Sequence, residues 1–177
     1  MNRLALVYFC NNLIVFMNIS FRPITDDDMP FLSRLYASTR EDELAATPWS
    51  ADEKAAFLQM QFMAQHTHYH EHYPDASYDL ILADGEPIGR LYIDRWEDEI
   101  RLMDIALLPE HRNKGLGTRL MNDILDEARQ KKLPVRIHVE KFNPALRLYQ
   151  RLGFYELEDK GVYLFMEWSP DRNPQSS

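Results

Sequence analysis

Apolar positions recur along the chain in two periods, and each switch between them marks an element. Residues 19–24, ISFRPI, read as a short strand. Thr25 followed by Asp26, Asp27 and Asp28 reads as a helix start, a cap with acids in the first turn, and Met29, Leu32, Leu35 and Tyr36 then recur at helical spacing. Ser50 and Glu53 form a second capping box, ahead of an apolar stripe of Ala56, Phe57, Met60, Met63 and Ala64. After Pro74 the pattern becomes extended. Strands are predicted over 78–83, 87–96 and 99–108, with the hairpin signal Asp84-Gly85 and a turn at Glu97-Asp98 between them, and Pro109 ending the third. A helix over 115–131 with Leu116, Leu120, Ile124 and Leu125 on one face comes next, then an alternating strand over 135–140. A short helix over 143–152 ends at Gly153, and strands over about 154–158 and 162–168 close the pattern. The order β-αα-βββ-α-β-α-ββ shows no repeat and no linker. A meander leading into a β-α-β unit requires a mixed sheet.

The two ends stand apart. Residues 1–16, MNRLALVYFCNNLIVF, carry two apolar runs split by Asn11 and Asn12 and lack a small-residue cleavage site. They read as an N-terminal extension ahead of a natural start at Met17, with an added strand as the plainer alternative. The domain then covers 17–169, and 170–177 is a polar tail expected to be disordered.

Composition narrows the function. A chain of 177 residues, 45% hydrophobic, can bury a real core. Its formal net charge of −8 argues against a nucleic-acid binder, which needs a basic face. It suits a cationic partner such as an amine. One cysteine, Cys10, allows no disulfide framework and no zinc cluster, and fits a reducing, cytoplasmic setting. No apolar run is long enough for a spanning helix, so no membrane partner is expected. The run HTHYHEHY, residues 66–73, places His66 with His70 and His68 with His72 on shared helical faces. No HExxH pattern accompanies it, and it reads as a polar helix end with no metal expected.

The stretch EHRNKGLGTRLM, residues 110–121, holds the candidate chemistry. Gly115 and Gly117 fall between the end of a strand and the start of a helix, where free backbone N–H groups converge and the helix dipole adds partial positive charge. Bare backbone there admits a diphosphate, and Arg112 and Lys114 add charge at the rim. The stretch is neither a Walker loop, lacking Gly-Lys-Ser/Thr, nor the dinucleotide fingerprint, lacking its third glycine. A tight turn with nothing bound is the plain alternative.

NPALRLYQRLGF, residues 143–154, changes the weighing. Together with DIALLPEHRNKGLGTRLM, residues 104–121, it resembles the GNAT N-acetyltransferases, which move an acetyl group from acetyl-CoA to an amine. Both motifs stand in the family's order at a fitting separation, and the resemblance runs from Asn18 to about Trp168. It implies an α+β fold of three α/β/α layers, with a mixed, mostly antiparallel seven-stranded sheet, splayed at the acetyl-CoA site, and about four helices.

The resemblance also implies roles. Ile105, Ala106 and Leu107 match the splayed strand, whose backbone pairs with pantetheine like an added strand. Asn113, Lys114, Gly115, Leu116, Gly117 and Thr118 match the pyrophosphate loop, with Arg112 at its first position. Tyr149 matches the general acid that protonates the departing thiolate. A phenol of pKa about 10 stays protonated at neutral pH and can serve a thiolate of pKa about 8.5. Packing beside Leu148 is its plainer reading. Asn143 matches a cofactor contact or is a helix cap. The general base is left among His138, then Glu140, then Asp104. Arg90 and Tyr92 share a strand face that looks toward the acceptor.

The function implied is an N-acetyltransferase working by direct attack of a primary amine, on a small molecule or a peptide, in a ternary complex. The alternative is a non-catalytic acyl-CoA-binding regulatory module. Exposed edge strands near the C-terminus offer a route to a homodimer.

Overall fold

A computed structural model describes residues 4–10 and 13–172. The strands are β1 (Leu4–Cys10), β2 (Leu13–Pro23), β3 (Ser77–Ala83), β4 (Glu86–Arg95), β5 (Ile100–Leu107), β6 (Val135–Glu140), β7 (Tyr155–Lys160) and β8 (Tyr163–Trp168). The helices are α1 (Met29–Ser38), α2 (Glu41–Ala45), α3 (Ala51–His72), α4 (Leu116–Lys131) and α5 (Leu146–Arg151). The strands follow the order β1-β2-β3-β4-β5-β6-β8-β7 in one sheet. The β5–β6 pair is parallel, bridged by α4, and the pairs β1–β2, β2–β3, β6–β8 and β7–β8 are antiparallel. This is the expected mixed α+β architecture, with β1 as a strand beyond the expected seven. Within residues 1–16, residues 4–10 pair with 13–19. Residues 1–3, 11–12 and 173–177, where parts of the expected extension and tail fall, lie outside the described residues.

The chain clusters into two compact units, Met1–Tyr92 with Asp104–Arg112, and Ile93–Met103 with Asn113–Ser177. In the first, the Asp28 carboxylate accepts from the Thr25 backbone N–H at 2.8 Å and from the Arg22 guanidinium at 2.7 Å to each oxygen, fixing the entry to α1. Pro30 in the first turn of α1 needs no hydrogen-bond partner. Phe31, Leu32, Leu35 and Tyr36 then face inward against Phe62 of α3 and Leu80 and Leu82 of β3. The Ser50–Glu53 capping box starts α3, with the Ser50 N–H donating to Glu53 Oε2 at 2.7 Å. Between α1 and α3 lies the short helix α2, with Arg40 paired to Glu43 at 2.9 Å.

In the second unit, β6 and β8 pair so that Val135, Ile137 and Val139 stand opposite Trp168, Met166 and Leu164. All six are buried, and α4 buries Leu116, Leu120, Met121, Ile124, Leu125 and Ala128. The period of two sends Arg136, His138 and Glu140 to the other face, opposite Glu167, Phe165 and Tyr163. There Arg136 joins Glu167 at 2.7 Å and Glu99 at 2.5 Å, and Arg101 joins Glu99 at 2.5 Å. Glu99 is only 2% exposed, and its two arginines are what allow a carboxylate to be buried there.

Gly89 in β4 stands in close contact with β5. A Cβ at this position would stand 2.4 Å from the Ala106 carbonyl oxygen and 2.8 Å from Leu107 Cδ2. Gly89→Ala is therefore expected to destabilise the protein by about 2 kcal/mol or more, since a backbone oxygen must move; an unchanged urea midpoint would contradict this contact. Asp28 yields a second expectation. Hydrogen bonding from Arg22 holds its carboxyl well below the usual range, with burial opposing and Thr25 adding to the depression. Its stabilisation is complete above the unfolded carboxylate pKa of about 3.9 and is lost as pH falls through the lower folded value. Asp28→Asn is expected to lower stability at pH 7 and to flatten the acid limb of stability against pH, measured by denaturation at stepped pH.

Candidate active site

The residues singled out in the sequence fall into two groups, one in each unit. In the first unit β5 carries Asp104, Ile105, Ala106 and Leu107 in succession. Asp104 Oδ2 accepts from Arg90 Nη2 at 2.6 Å, and the same nitrogen donates to Gln65 Oε1 at 2.8 Å. The side chains are 4% exposed for Arg90 and 14% for Asp104, so the pair is largely shielded from water. Burial works against the Arg90 charge, and Asp104, Tyr92 and Tyr69 together more than offset it, leaving its pKa raised. Tyr92, beside Arg90 and only 1% exposed, has its phenol pushed up to about 12, chiefly by burial. Arg90 and Tyr92 are thus interior groups, and Asp104 is more exposed than either.

Arg112 is used structurally. Its Nε donates to the Leu107 carbonyl at 2.7 Å, and its Nη2 donates to Ser38 Oγ at 2.9 Å and Ser38 O at 3.2 Å. It therefore ties the end of β5 to the end of α1. The sequence offered no signal for Ser38 as its partner. Gly89 is a further position that motif reading passed over, although a glycine inside a strand pattern signals close backbone approach.

In the second unit the loop before α4 turns through two left-handed residues, Asn113 at φ 59° and Gly115 at φ 81°. Only glycine takes this conformation without strain, and Asn is among the side-chain-bearing residues that tolerate it best. No atom lies within 4 Å of where a Cβ on Gly115 would stand. Asn113, Lys114 and Gly115 are exposed, while Leu116 is buried and anchors the first turn of α4. Alternation of left- and right-handed backbone turns successive N–H groups toward one point, which together with a helix N-terminus suits a phosphate.

Beyond β6, Asn143 acts as a cap. Its Oδ1 accepts from the Ala145 N–H at 2.8 Å and its carbonyl accepts from Leu146 N at 3.0 Å, so the regular helix begins at Leu146 rather than at Asn143. Tyr149 on α5 is 3% exposed, its ring edge-on to Phe154 at 5.7 Å. Leu148 Cδ2 lies 3.7 Å from where a Cβ on Gly117 would stand, so α5 lies against the start of α4.

His138 and Glu140 share the polar face of β6, as their spacing requires. The His138 ring stacks on Phe165 at 4.6 Å, and its Nε2 is 3.5 Å from Lys160 Nζ. Burial lowers its pKa, Arg101 and Lys160 add to the shift, and Glu158 and Glu99 oppose it. A lowered value keeps the imidazole neutral, the form that accepts a proton. Glu140 accepts from the Tyr163 hydroxyl at 3.2 Å.

The histidines on α3 pack as ring pairs, His66 with His70 at 4.4 Å and His68 with His72 at 4.1 Å. Among the described residues no group of three or more His, Cys, Asp or Glu is placed to hold a metal ion, and no helix is long and apolar enough to cross a membrane.

Comparison with known proteins gives the family of the chain. Streptothricin acetyltransferase of Streptomyces lavendulae is 34% identical over 76 residues, 41% of this chain and 40% of that protein's length. The PaiA N-acetyltransferase of Thermoplasma acidophilum, solved with coenzyme A, shares the fold at a TM-score of 0.63 and 18% identity, over 85% of this chain and 98% of its own. The ribosomal-protein-S18-alanine N-acetyltransferase of Escherichia coli does so at 0.58 and 18% identity, over 90% and 98%. The spermidine N-acetyltransferase of Vibrio cholerae, solved with CoA and spermine, does so at 0.56 and 18%, over 86% and 95%. The profile of the acetyltransferase (GNAT) family matches residues 33–154, a span that takes in the glycine loop and the NPALRLYQRLGF segment, and the chain belongs to that family.

Proposed function

We propose that this chain is an N-acetyltransferase that moves the acetyl group of acetyl-CoA to a primary amine by direct attack in a ternary complex. The observation that carries the reading is the loop Asn113–Thr118, where two left-handed residues and the start of α4 leave a cradle of bare amides that suits a diphosphate. Strand β5 supports it. Its register with β6 covers Ile100–Leu102 against Val135–Ile137 and goes no further among the described residues. The backbone groups of Ile105 and Ala106 and the N–H of Leu107 are therefore not taken up by β6, and suit the two amides of a pantetheine arm, while the Leu107 carbonyl is held by Arg112.

The residues then divide the work. His138, kept neutral, takes the proton that the attacking ammonium must lose, with Glu140 beside it and Asp104 as the remaining candidates. Backbone N–H groups of β5 meet the negative charge that grows on the acyl oxygen as the N–C bond forms. Tyr149 donates its phenolic proton to the sulfur as the C–S bond breaks. The acceptors named for the relatives, streptothricin, the alanine of ribosomal protein S18 and spermidine, define the panel for this chain. A thiol-release assay with acetyl-CoA across that panel tests the activity. Amine-dependent release supports the transferase, and acetyl-CoA binding with no release on any amine favours a non-catalytic binding module.

Two variants test the roles. Tyr149→Phe preserves the ring against Phe154, and is expected to slow thiol release by about 10²-fold or more with acetyl-CoA affinity unchanged; an unchanged rate removes Tyr149 from the mechanism. For His138, the depressed pKa places the corresponding acid limb of kcat/KM below about pH 6.5. Activity is lost as pH falls through that value, because the imidazole charges. His138→Gln is expected to abolish this limb, and a limb that persists unchanged assigns it to another group.

A further inference from the structure

Among the described residues the strand order ends in two edges of opposite character, β1 on one side and β7 on the other. An open edge presents unpaired backbone N–H and C=O groups, and proteins normally guard it with charge, proline or a bulge. Edge β7 is guarded. Its sequence YELEDK carries Glu156, Glu158, Asp159 and Lys160, and its register with β8 shifts between Glu156 and Glu158. Edge β1 has none of these devices. Its sequence LALVYFC holds no charge and no proline, and its pairing with β2 runs from Leu4–Ile19 to Cys10–Leu13 without a shift. The C-terminal edge, the expected route to a homodimer, is thus the protected one.

Hydrogen bonding beside β2 shows which groups of β1 are open. Asp84 N donates to Asn18 O at 2.9 Å, so Asn18 turns its backbone groups toward the β3 side. Along an antiparallel strand these groups alternate sides. Met17 and Ile19 therefore turn toward β1, where they meet Leu6 and Leu4. Ala5, Val7 and Phe9 in turn direct N–H and C=O to the outer edge, where no strand among the described residues pairs with them.

We propose that β1 pairs with β1 of a second copy of this chain, antiparallel about a two-fold axis at Val7. A strand is its own complement under that symmetry. Val7 opposite Val7 sets Ala5 opposite Phe9, and every open group of both strands then enters a hydrogen bond. No charge in LALVYFC meets a like charge across the axis, whereas the three acids Glu156, Glu158 and Asp159 would oppose the same pairing at β7. The interface is a four-stranded antiparallel ribbon, β2-β1-β1-β2. It uses none of the residues assigned to acetyl transfer.

Sedimentation equilibrium of the full chain across a concentration series tests the pairing, on the wild type, on Val7→Pro and on the double variant Val7→Cys, Cys10→Ser. The Val7 N–H takes no part in the β1–β2 ladder, so proline there spares the hairpin while removing the central donor from each copy. A wild-type dimer is expected. Val7→Pro is expected to weaken it by about thirtyfold or more, the loss of two hydrogen bonds, with circular dichroism unchanged. Two cysteines at position 7 would stand about 5.5 Å apart between Cα atoms, within disulfide range, so the double variant is expected to cross-link into a dimer on oxidation. A monomeric wild type overturns the proposal, as does a dimer that Val7→Pro leaves unchanged. Should Val7→Pro disturb the fold, the double variant decides, and its failure to cross-link overturns the proposal.

Discussion

The short register between β5 and β6 is the constraint from which the candidate site follows. A strand of eight residues pairs with its parallel neighbour through three of them, Ile100, Leu102 and the intervening Arg101. Backbone amides and carbonyls need partners, and a strand that parts from its neighbour offers them to a ligand instead. The segment 105–107 is also held within the first unit. Gly89 has no Cβ where the Ala106 carbonyl lies, Arg90 is bound to Asp104, and Arg112 caps the Leu107 carbonyl while reaching Ser38. Five residues outside the segment 105–107, Gly89, Arg90, Asp104, Arg112 and Ser38, thus fix its path.

A second constraint is the period of two along β6. With Val135, Ile137 and Val139 committed to the core, Arg136, His138 and Glu140 have no choice of face. The face they share is a balanced network, in which Arg101 and Arg136 neutralise Glu99 and Glu167. A one-residue slip would bury His138 and expose the valines, so the position of the favoured proton acceptor is protected by the same energetics as the core. His138 is exposed on that face, and desolvation together with Arg101 and Lys160 lowers its pKa, which favours the neutral imidazole.

Much of this was legible in the sequence, for reasons that differ by element. The helix over 116–131 and the strand over 135–140 matched because strong apolar periodicity over a long span leaves little ambiguity. The capping boxes at Thr25 and Ser50 were readable because capping is local chemistry. The start of α5 was misjudged by three residues, since Asn143 caps a turn ahead of the helix through its side chain. Arg112 looked like a free charge because its partners, Leu107 O and Ser38, are a backbone group and a residue 74 positions away.

Amide hydrogen exchange with and without acetyl-CoA tests the central claim most directly, because that claim concerns backbone groups. The account predicts slowed exchange at Ile105–Leu107 and across Asn113–Thr118 when acetyl-CoA is added. Protection elsewhere with these two segments unchanged would contradict it.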